Sequence, residues 1–119
     1  MEPAMQVVVE TIGVVAVVTA VGDIDSNTAY LVEEQVLPLA LPGSKVMLNL
    51  AGVPFMSSAG LRVLLAVHRR VTGEAGRVVL VGLSEEIQDT MNATGFLGFF
   101  TLADSVESAL KLMEGPATA

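Results

Sequence analysis

Two adjacent serines, Ser57 and Ser58, stand where an apolar strand pattern ends and an amphipathic helix pattern begins. They lie in a stretch of small and apolar residues that runs from Asn49 to Leu61. A hydroxyl in the first turn of a helix lies near the surface, at the positive end of the helix dipole. Such a hydroxyl can cap the helix, attack a substrate or be modified by another enzyme.

Serine hydrolysis is the first chemistry to consider for Ser58. The segment Ser58-Ala59-Gly60 matches the second half of the Gly-x-Ser-x-Gly elbow, but Met56 stands at the position of the first glycine. His68, the only histidine, follows in the same predicted helix, so the hydrolase order of serine, acid and histidine is not met. If the protein were an esterase, the substitution Ser58→Ala would abolish hydrolysis of a generic ester. We expect the protein to have no such activity.

Sequence motifs for zinc ribbons, thiol catalysis and phosphate loops are missing from the chain. It has no cysteine and one histidine, and neither Gly-x-x-x-x-Gly-Lys nor Gly-x-Gly-x-x-Gly occurs. Of the paired carboxylates, Glu33 and Glu34 are expected on a solvated helix face, whereas Asp23 and Asp25 lie in a loop after a strand. We therefore expect no metal and no cofactor.

Modification of Ser58 is the remaining chemistry. A phosphate there would add about −1.5 to −2 charges, and a helix N-terminus stabilises a negative charge by about 0.3–1 kcal/mol. A partner pressed against the same surface would instead bury an unpaired charge, which costs several kcal/mol. This arrangement predicts a switch in which the fold survives and a complex breaks. From the residues alone, simple helix capping by Ser57 and Ser58 stays open as the alternative.

Strand-like and helix-like segments alternate along the chain and must position the two serines. Strands are predicted at 6–10, 14–21, 45–50, 77–81 and within 96–102, with a turn at Thr11-Ile12-Gly13 between the first two. The first predicted helix runs from a cap at Ser26 or Asn27 to Pro38, and the second covers 58–72. The third runs from a cap at Ser84 to Gly95, with Ile87, Met91 and Thr94 on its inner face. The last follows a capping box of Asp104 with Glu107. This order predicts an α/β fold, a mixed sheet of about five strands with about four helices that opens with a β-hairpin.

The helix after the serines has three faces. Its apolar side, which should face the sheet, comprises Gly60, Val63, Leu64, Val67 and Val71, and the opposite side carries Arg62, Arg69 and Arg70. Leu61, Leu65 and His68 form a flank between them. Leu61 and Leu65 either complete the core against a neighbouring helix or form an exposed surface for a partner, and His68 is expected to be structural.

Composition restricts the class of protein. The chain has 119 residues, which fits one domain that we place at 1–114, followed by a disordered tail at 115–119. Its net charge is −7 and its pI about 4.4, which disfavours nucleic acid and anionic membranes as partners. We recognise no signal peptide and no apolar run of the ~20 residues that span a bilayer. We therefore expect a cytoplasmic protein.

The motifs, taken in order, resemble the anti-sigma factor antagonist family, whose fold is the STAS domain. Gly22–Asp25 is similar to the family's Gly-acid-Leu/Ile-Asp loop, and Ser57–Leu61 is similar to its Asp-Ser-Ser/Ala-Gly-Leu signature. Asn49–Met56 resembles the strand and loop before that signature, and Thr94–Phe96 resembles a later Ser/Thr-Gly-Leu/Phe element. The resemblance covers nearly the whole chain and implies the STAS fold.

The resemblance also implies a function and a site. The family's phosphoacceptor serine falls on Ser58, and its loop aspartate falls on Asp25. In the family, the unphosphorylated antagonist binds an anti-sigma factor that is itself an ATP-dependent serine kinase, and so frees a sigma factor. That kinase phosphorylates the serine, a phosphatase removes the phosphate, and the antagonist has no catalytic activity of its own. The expected partner-binding residues are Asp23, Asp25, Ser57, Ser58, Gly60, Leu61 and Leu65.

Ser57 departs from the family pattern, which usually has aspartate immediately before the acceptor. The departure removes a negative charge beside Ser58 and makes Ser57 the alternative acceptor. Two other functions stay open: a STAS module that binds a small molecule or nucleotide near Asp25 and Ser58, and a partner-switching regulator of a target other than a sigma factor. The sequence also leaves open a homodimer.

Overall fold

The protein is built on one five-stranded sheet whose strands lie side by side in chain order. The computed structural model describes residues 5–114, so the predicted tail at 115–119 lies outside the described residues. The strands are β1 (Met5–Ile12), β2 (Val15–Gly22), β3 (Lys45–Gly52), β4 (Arg77–Val81) and β5 (Thr101–Ala103). The β1–β2 pair is antiparallel and the other three pairs are parallel, which confirms the predicted mixed sheet and opening hairpin.

The turn of the opening hairpin is shorter than predicted and ends one residue later. Ile12 still pairs with Val15, so Gly13 and Val14 alone form the connection. Gly13 has a φ of 61°, the left-handed conformation that glycine adopts without steric cost. Strand β1 continues through Thr11 and Ile12, because their pairing with Ala16 and Val15 satisfies their backbone groups.

Four α-helices occur among residues 5–114: α1 (Ala29–Val36), α2 (Ser58–Gly73), α3 (Glu85–Ala93) and α4 (Val106–Met113). Short 3-10 turns follow α1 at Leu37–Leu39 and precede β5 at Leu97–Phe99. Each parallel connection therefore contains a helix, as parallel strands require. None of these helices is both long and apolar enough to cross a membrane.

Helix starts agree with the sequence at α3 and differ at α1 and α4. The Ser84 side chain accepts a hydrogen bond from the Ile87 amide, which confirms the predicted cap. The caps predicted at Ser26 or Asn27 were wrong, because the chain first turns at Asp25 and helical geometry begins only after Thr28.

The capping box predicted from Asp104 and Glu107 was also wrong. It forms one residue later, between Ser105 and Ser108, where each side chain accepts a hydrogen bond from the other residue's backbone amide. A serine hydroxyl can fill both roles of the box, so the pattern is satisfied by two serines as well as by two acids.

The end of α3 follows the sequence at Gly95 and departs from it at Thr94. Gly95 has a φ of 80°, and the amides of Gly95 and Phe96 donate to the carbonyl oxygens of Asn92 and Met91 at 3.1 and 2.8 Å. This is the Schellman pattern expected of a C-terminal glycine. Thr94 is exposed rather than on the inner face, because it is already the residue that ends the helix.

The sheet separates two apolar clusters because side chains alternate between its faces. Val46 and Leu48 pack on one face with the buried sides of α1, α2 and α3. Met47 points to the other face and packs with Ala109 and Met113 of α4. The first three helices therefore share one face, and the N-terminus of α2 emerges at the edge where β2 and β3 end.

Candidate functional site

A short backbone connection brings the acidic loop to the two serines. The Ile24 amide donates to the Phe55 carbonyl at 3.0 Å, and the Ser57 amide donates to the Ile24 carbonyl at 2.8 Å. These bonds form an isolated parallel bridge between Ile24 and Met56, beyond the ends of β2 and β3. Asp25 directly follows Ile24 and Ser57 directly follows Met56, so the bridge brings the acidic loop next to the serines.

The acidic loop is held in shape by Thr28, a polar residue that is only 7% exposed. Its hydroxyl donates to the Asp23 carbonyl at 2.8 Å and lies 3.2 Å from Asp25 Oδ1, and it accepts from the Asp25 amide at 3.0 Å. Asp25 Oδ1 also accepts from the Asn27 amide at 2.9 Å. The carboxylate of Asp25 is thus fixed, whereas Asp23 has an exposed side chain.

Thr28→Val should lower the free energy of unfolding by about 2 kcal/mol, because it leaves the Asp25 amide and the Asp23 carbonyl without their partner. Urea unfolding measures this change. Thr28→Ser is the control, since it keeps the hydroxyl and loses only a methyl group, worth about 1 kcal/mol. Equal stability of Thr28→Val and the wild type would show that the hydroxyl does not hold the loop.

The two serines have different environments. Ser57 is the N-cap of α2, but its side chain makes no capping hydrogen bond, and its Oγ is buried without a partner. Ser58 is the first residue of the helix and is exposed. A large enzyme can reach the hydroxyl of Ser58 in this conformation, whereas it cannot reach that of Ser57.

Ser57→Ala should change the free energy of unfolding by no more than about 0.5 kcal/mol, because the lost hydroxyl satisfies no backbone group. Ser84→Ala is the matched control, since Ser84 does cap its helix and its loss should cost about 1 kcal/mol. Chemical denaturation of the two variants compares them directly. A loss at Ser57 as large as that at Ser84 would contradict the absence of a capping bond.

Gly60 lies where α2 crosses the bridge between the two loops. A Cβ built at this position would lie 2.6 Å from Met56 Cγ, 2.9 Å from Ile24 Cγ2 and 3.1 Å from the Ile24 carbonyl oxygen. Real Cβ atoms essentially never approach another atom as closely as the first two distances. Glycine is therefore required for the close approach of the helix to the loop, and this is a structural reason for its place in the motif.

The predicted flank of α2 is divided by the structure. Leu61 is only 4% exposed and belongs to the core, so the core alternative holds for it and a surface role does not. Helix α1 packs beside α2, and Leu61 lies in the same apolar cluster as the buried residues of α1. Leu65 is half-buried, and Val63, predicted to face the sheet, is also only half-buried.

His68 packs against an aromatic ring, as its structural interpretation predicts. Its imidazole meets the Phe100 ring edge-on, with ring centroids 5.1 Å apart and an interplanar angle of 72°. Burial lowers the pKa of His68 below its usual value, because desolvation penalises the charged imidazolium. The neutral ring therefore prevails near neutral pH, which suits an aromatic contact.

Two exposed aromatic residues, one in the loop before Ser57 and one in α1, were not identified from the sequence. Phe55 is 53% exposed and lies in the loop directly before Ser57, next to a groove of about 140 Å³ that Glu86, Ile87 and Thr90 also line. Tyr30, 54% exposed, lies in the first turn of α1. Apolar periodicity identifies core residues, and a single aromatic residue in a loop gives no periodic signal.

The described part of the chain holds no candidate metal centre. Among residues 5–114, no group of three or more histidine, cysteine, aspartate or glutamate residues is arranged to bind an ion. The site is an exposed hydroxyl next to an acidic loop, on a helix that the bridge at Ile24 connects to that loop.

Comparison with known proteins identifies the family. The family model described as the STAS domain matches residues 6–109. The chain belongs to the STAS domain family. It is 33% identical over 89 residues to BtrV of Bordetella bronchiseptica, named as a candidate anti-sigma factor antagonist, with 74% of this chain and 77% of BtrV covered. It is 28% identical over 94 residues to the anti-sigma-B factor antagonist of Bacillus subtilis, with 79% and 86% covered.

Solved structures of STAS proteins share the fold. An anti-sigma factor antagonist from Mycobacterium paratuberculosis superposes with a TM-score of 0.80 at 25% identity, covering 93% of this chain and 95% of the other. The Bacillus cell fate determinant SpoIIAA in its phosphorylated form superposes with a TM-score of 0.71 at 19% identity, covering 92% and 100%. The Bacillus subtilis relative and the Mycobacterium paratuberculosis structure are thus both named anti-sigma factor antagonists, and BtrV is named as a candidate for that role.

Proposed function

We propose that this STAS protein is an anti-sigma factor antagonist that binds an anti-sigma factor when Ser58 is unmodified and is released when Ser58 is phosphorylated. The observation that carries the proposal is the exposed Ser58 hydroxyl at the start of α2, beside the loop that bears Asp23 and Asp25. The relatives named above supply the class of partner. Because the family members act by binding, the protein needs no catalytic group of its own.

The modification proceeds by transfer of a phosphoryl group to Ser58. The partner, a serine kinase, transfers the γ-phosphoryl group of ATP to Oγ, which forms an O–P bond, releases ADP and loses the hydroxyl proton. A serine phosphatase hydrolyses the same bond and restores the hydroxyl. The burial of Ser57 Oγ favours Ser58 over its neighbour as the acceptor, because the attacking oxygen must reach the kinase active site.

Charge explains why phosphorylation should release the partner without unfolding the domain. The phosphate adds about −1.5 to −2 charges beside Asp23 and Asp25, in a protein whose net charge is already −7. The exposed first turn of α2 can solvate this charge and favours it, so the fold should persist. An anti-sigma factor covering Ser58 would have to desolvate the charge, which costs several kcal/mol. The existence of a phosphorylated SpoIIAA structure with the same fold supports this view.

Mapping of the modified residue tests the proposal. We expect incubation with the cognate kinase and ATP to add one phosphate, located at Ser58 by mass spectrometry. Ser57→Ala should still be phosphorylated, and Ser58→Ala should not. A phosphate found only at another residue would overturn the assignment. A pull-down with the unphosphorylated protein identifies the partner. Capture of a kinase that controls a target other than a sigma factor would show that the protein regulates that target instead.

A further inference from the structure

We infer that Arg62 binds the phosphoryl group on Ser58 and holds it against the first turn of α2. This inference rests on the proposed phosphorylation and adds a residue that recognises the modified state. Among the described residues 5–114, the guanidinium of Arg62 makes no hydrogen bond or ion pair in the unmodified protein. Both Ser58 and Arg62 are exposed.

The helix places the two side chains together. Ser58 and Arg62 are four residues apart within α2, and residues at this spacing lie on one face with Cβ atoms about 6 Å apart. Arginine is long enough to span that distance and presents a planar fork of donors that matches two phosphate oxygens. The order is also favourable, since the anionic group stands N-terminal to the cationic one, as the helix dipole prefers.

The charges around Ser58 direct the phosphate toward Arg62. The bridge at Ile24 places the loop that bears Asp23 and Asp25 next to the segment that bears Ser58, and Glu86 of α3 lies by the groove at Phe55. These acids repel a phosphate dianion. The other arginines of α2 begin seven residues later, at Arg69, about 10 Å farther along the helix axis. Arg62 is thus the arginine of α2 within reach of Ser58, and pairing draws the phosphate away from the loop.

The pairing has a consequence for the switch. A phosphatase must detach the phosphoryl group from Arg62 before it can reach the phosphorus atom, so the ion pair should prolong the phosphorylated state. In the unmodified protein Arg62 remains available to solvent. The residue therefore acts on the lifetime of the modification and not on the stability of the unmodified fold.

The test installs phosphoserine at position 58 during translation, so it needs neither the kinase nor the partner. The second pKa of the phosphoserine is measured by ³¹P NMR in the wild type, in Arg62→Gln and in Arg69→Gln. We expect the pKa to be lower in the wild type than in Arg62→Gln, because the guanidinium favours the dianion. Arg69→Gln, the matched control on the same helix, should give the wild-type pKa. At 1 M salt, where the Debye length is about 3 Å, the difference should shrink.

Two further readouts decide the inference. On phosphorylation the Arg62 side-chain Nε–H signal should shift in the wild type, and an added general phosphatase should remove the phosphate about two- to fivefold faster from Arg62→Gln, the range expected for an exposed ion pair. Equal phosphoserine pKa values in the wild type and Arg62→Gln, or an equal change in Arg69→Gln, would overturn the inference. Since the phosphate is installed without a kinase, failure here is distinct from failure to be phosphorylated at Ser58.

Discussion

Ser58→Asp should weaken binding to the anti-sigma factor by at least about 100-fold and leave the domain folded. The expected loss follows from burial of an unpaired carboxylate in the interface, which costs several kcal/mol, and each 1.4 kcal/mol corresponds to about tenfold in affinity. The fold should tolerate the change, because an acid at the first position of a helix is stabilised by about 0.3–1 kcal/mol. Titration calorimetry with the partner and urea unfolding of the free protein give the two quantities.

Val14→Asp is the matched control for charge. Val14 lies in the hairpin turn, 79% exposed, at the opposite end of the parallel strands from Ser58. The substitution Val14→Asp therefore adds the same charge away from the proposed interface. We expect it to bind like the wild type, and Ser58→Ala to bind as well as the wild type while resisting the kinase. Wild-type affinity in Ser58→Asp would remove Ser58 from the interface, whereas equal losses in both aspartate variants would point to net charge alone.

Gly60→Ala should lower the free energy of unfolding by about 1–3 kcal/mol, the usual cost of overpacking a filled site. In an open helix the same change would be stabilising by up to about 1 kcal/mol. The added Cβ meets Ile24 Cγ2 at 2.9 Å and the Ile24 backbone oxygen at 3.1 Å. The steric term should win, because a backbone oxygen held in the bridge to Ser57 cannot turn aside as the end of a flexible side chain can.

The same variant should also weaken partner binding by more than about tenfold, because displacement of Ile24 moves Asp23 and Asp25 relative to Ser58. Gly73→Ala is the control in the same helix, since a Cβ there meets nothing within 4 Å, and it should be neutral or slightly stabilising. Urea unfolding and calorimetry on both variants provide the measurement. A stable Gly60→Ala protein with wild-type affinity would show that the close contact between α2 and the loop is unnecessary.

Local patterns in the sequence predicted the order and type of the elements. The valine-rich runs, the amphipathic pattern after Ser58, the cap at Ser84 and the stop at Gly95 each depend on interactions within a few residues, so the sequence contains them directly. The predicted start of α4 was wrong because Asp104 and Ser105 can each cap a helix. Only the packed position of α4 selects Ser105 as the cap.

Some properties of the site could be predicted from the sequence, and others depend on the tertiary structure. The sequence alone determined that Ser58 stands at the start of a helix, and the resemblance assigned it the phosphoacceptor role. Only the tertiary structure decided that Ser57 Oγ is buried, that Leu61 is in the core and that Gly60 has no room for a side chain. These properties depend on the bridge between Ile24 and Met56. That contact joins segments about thirty residues apart, which periodicity within one helix or strand does not encode.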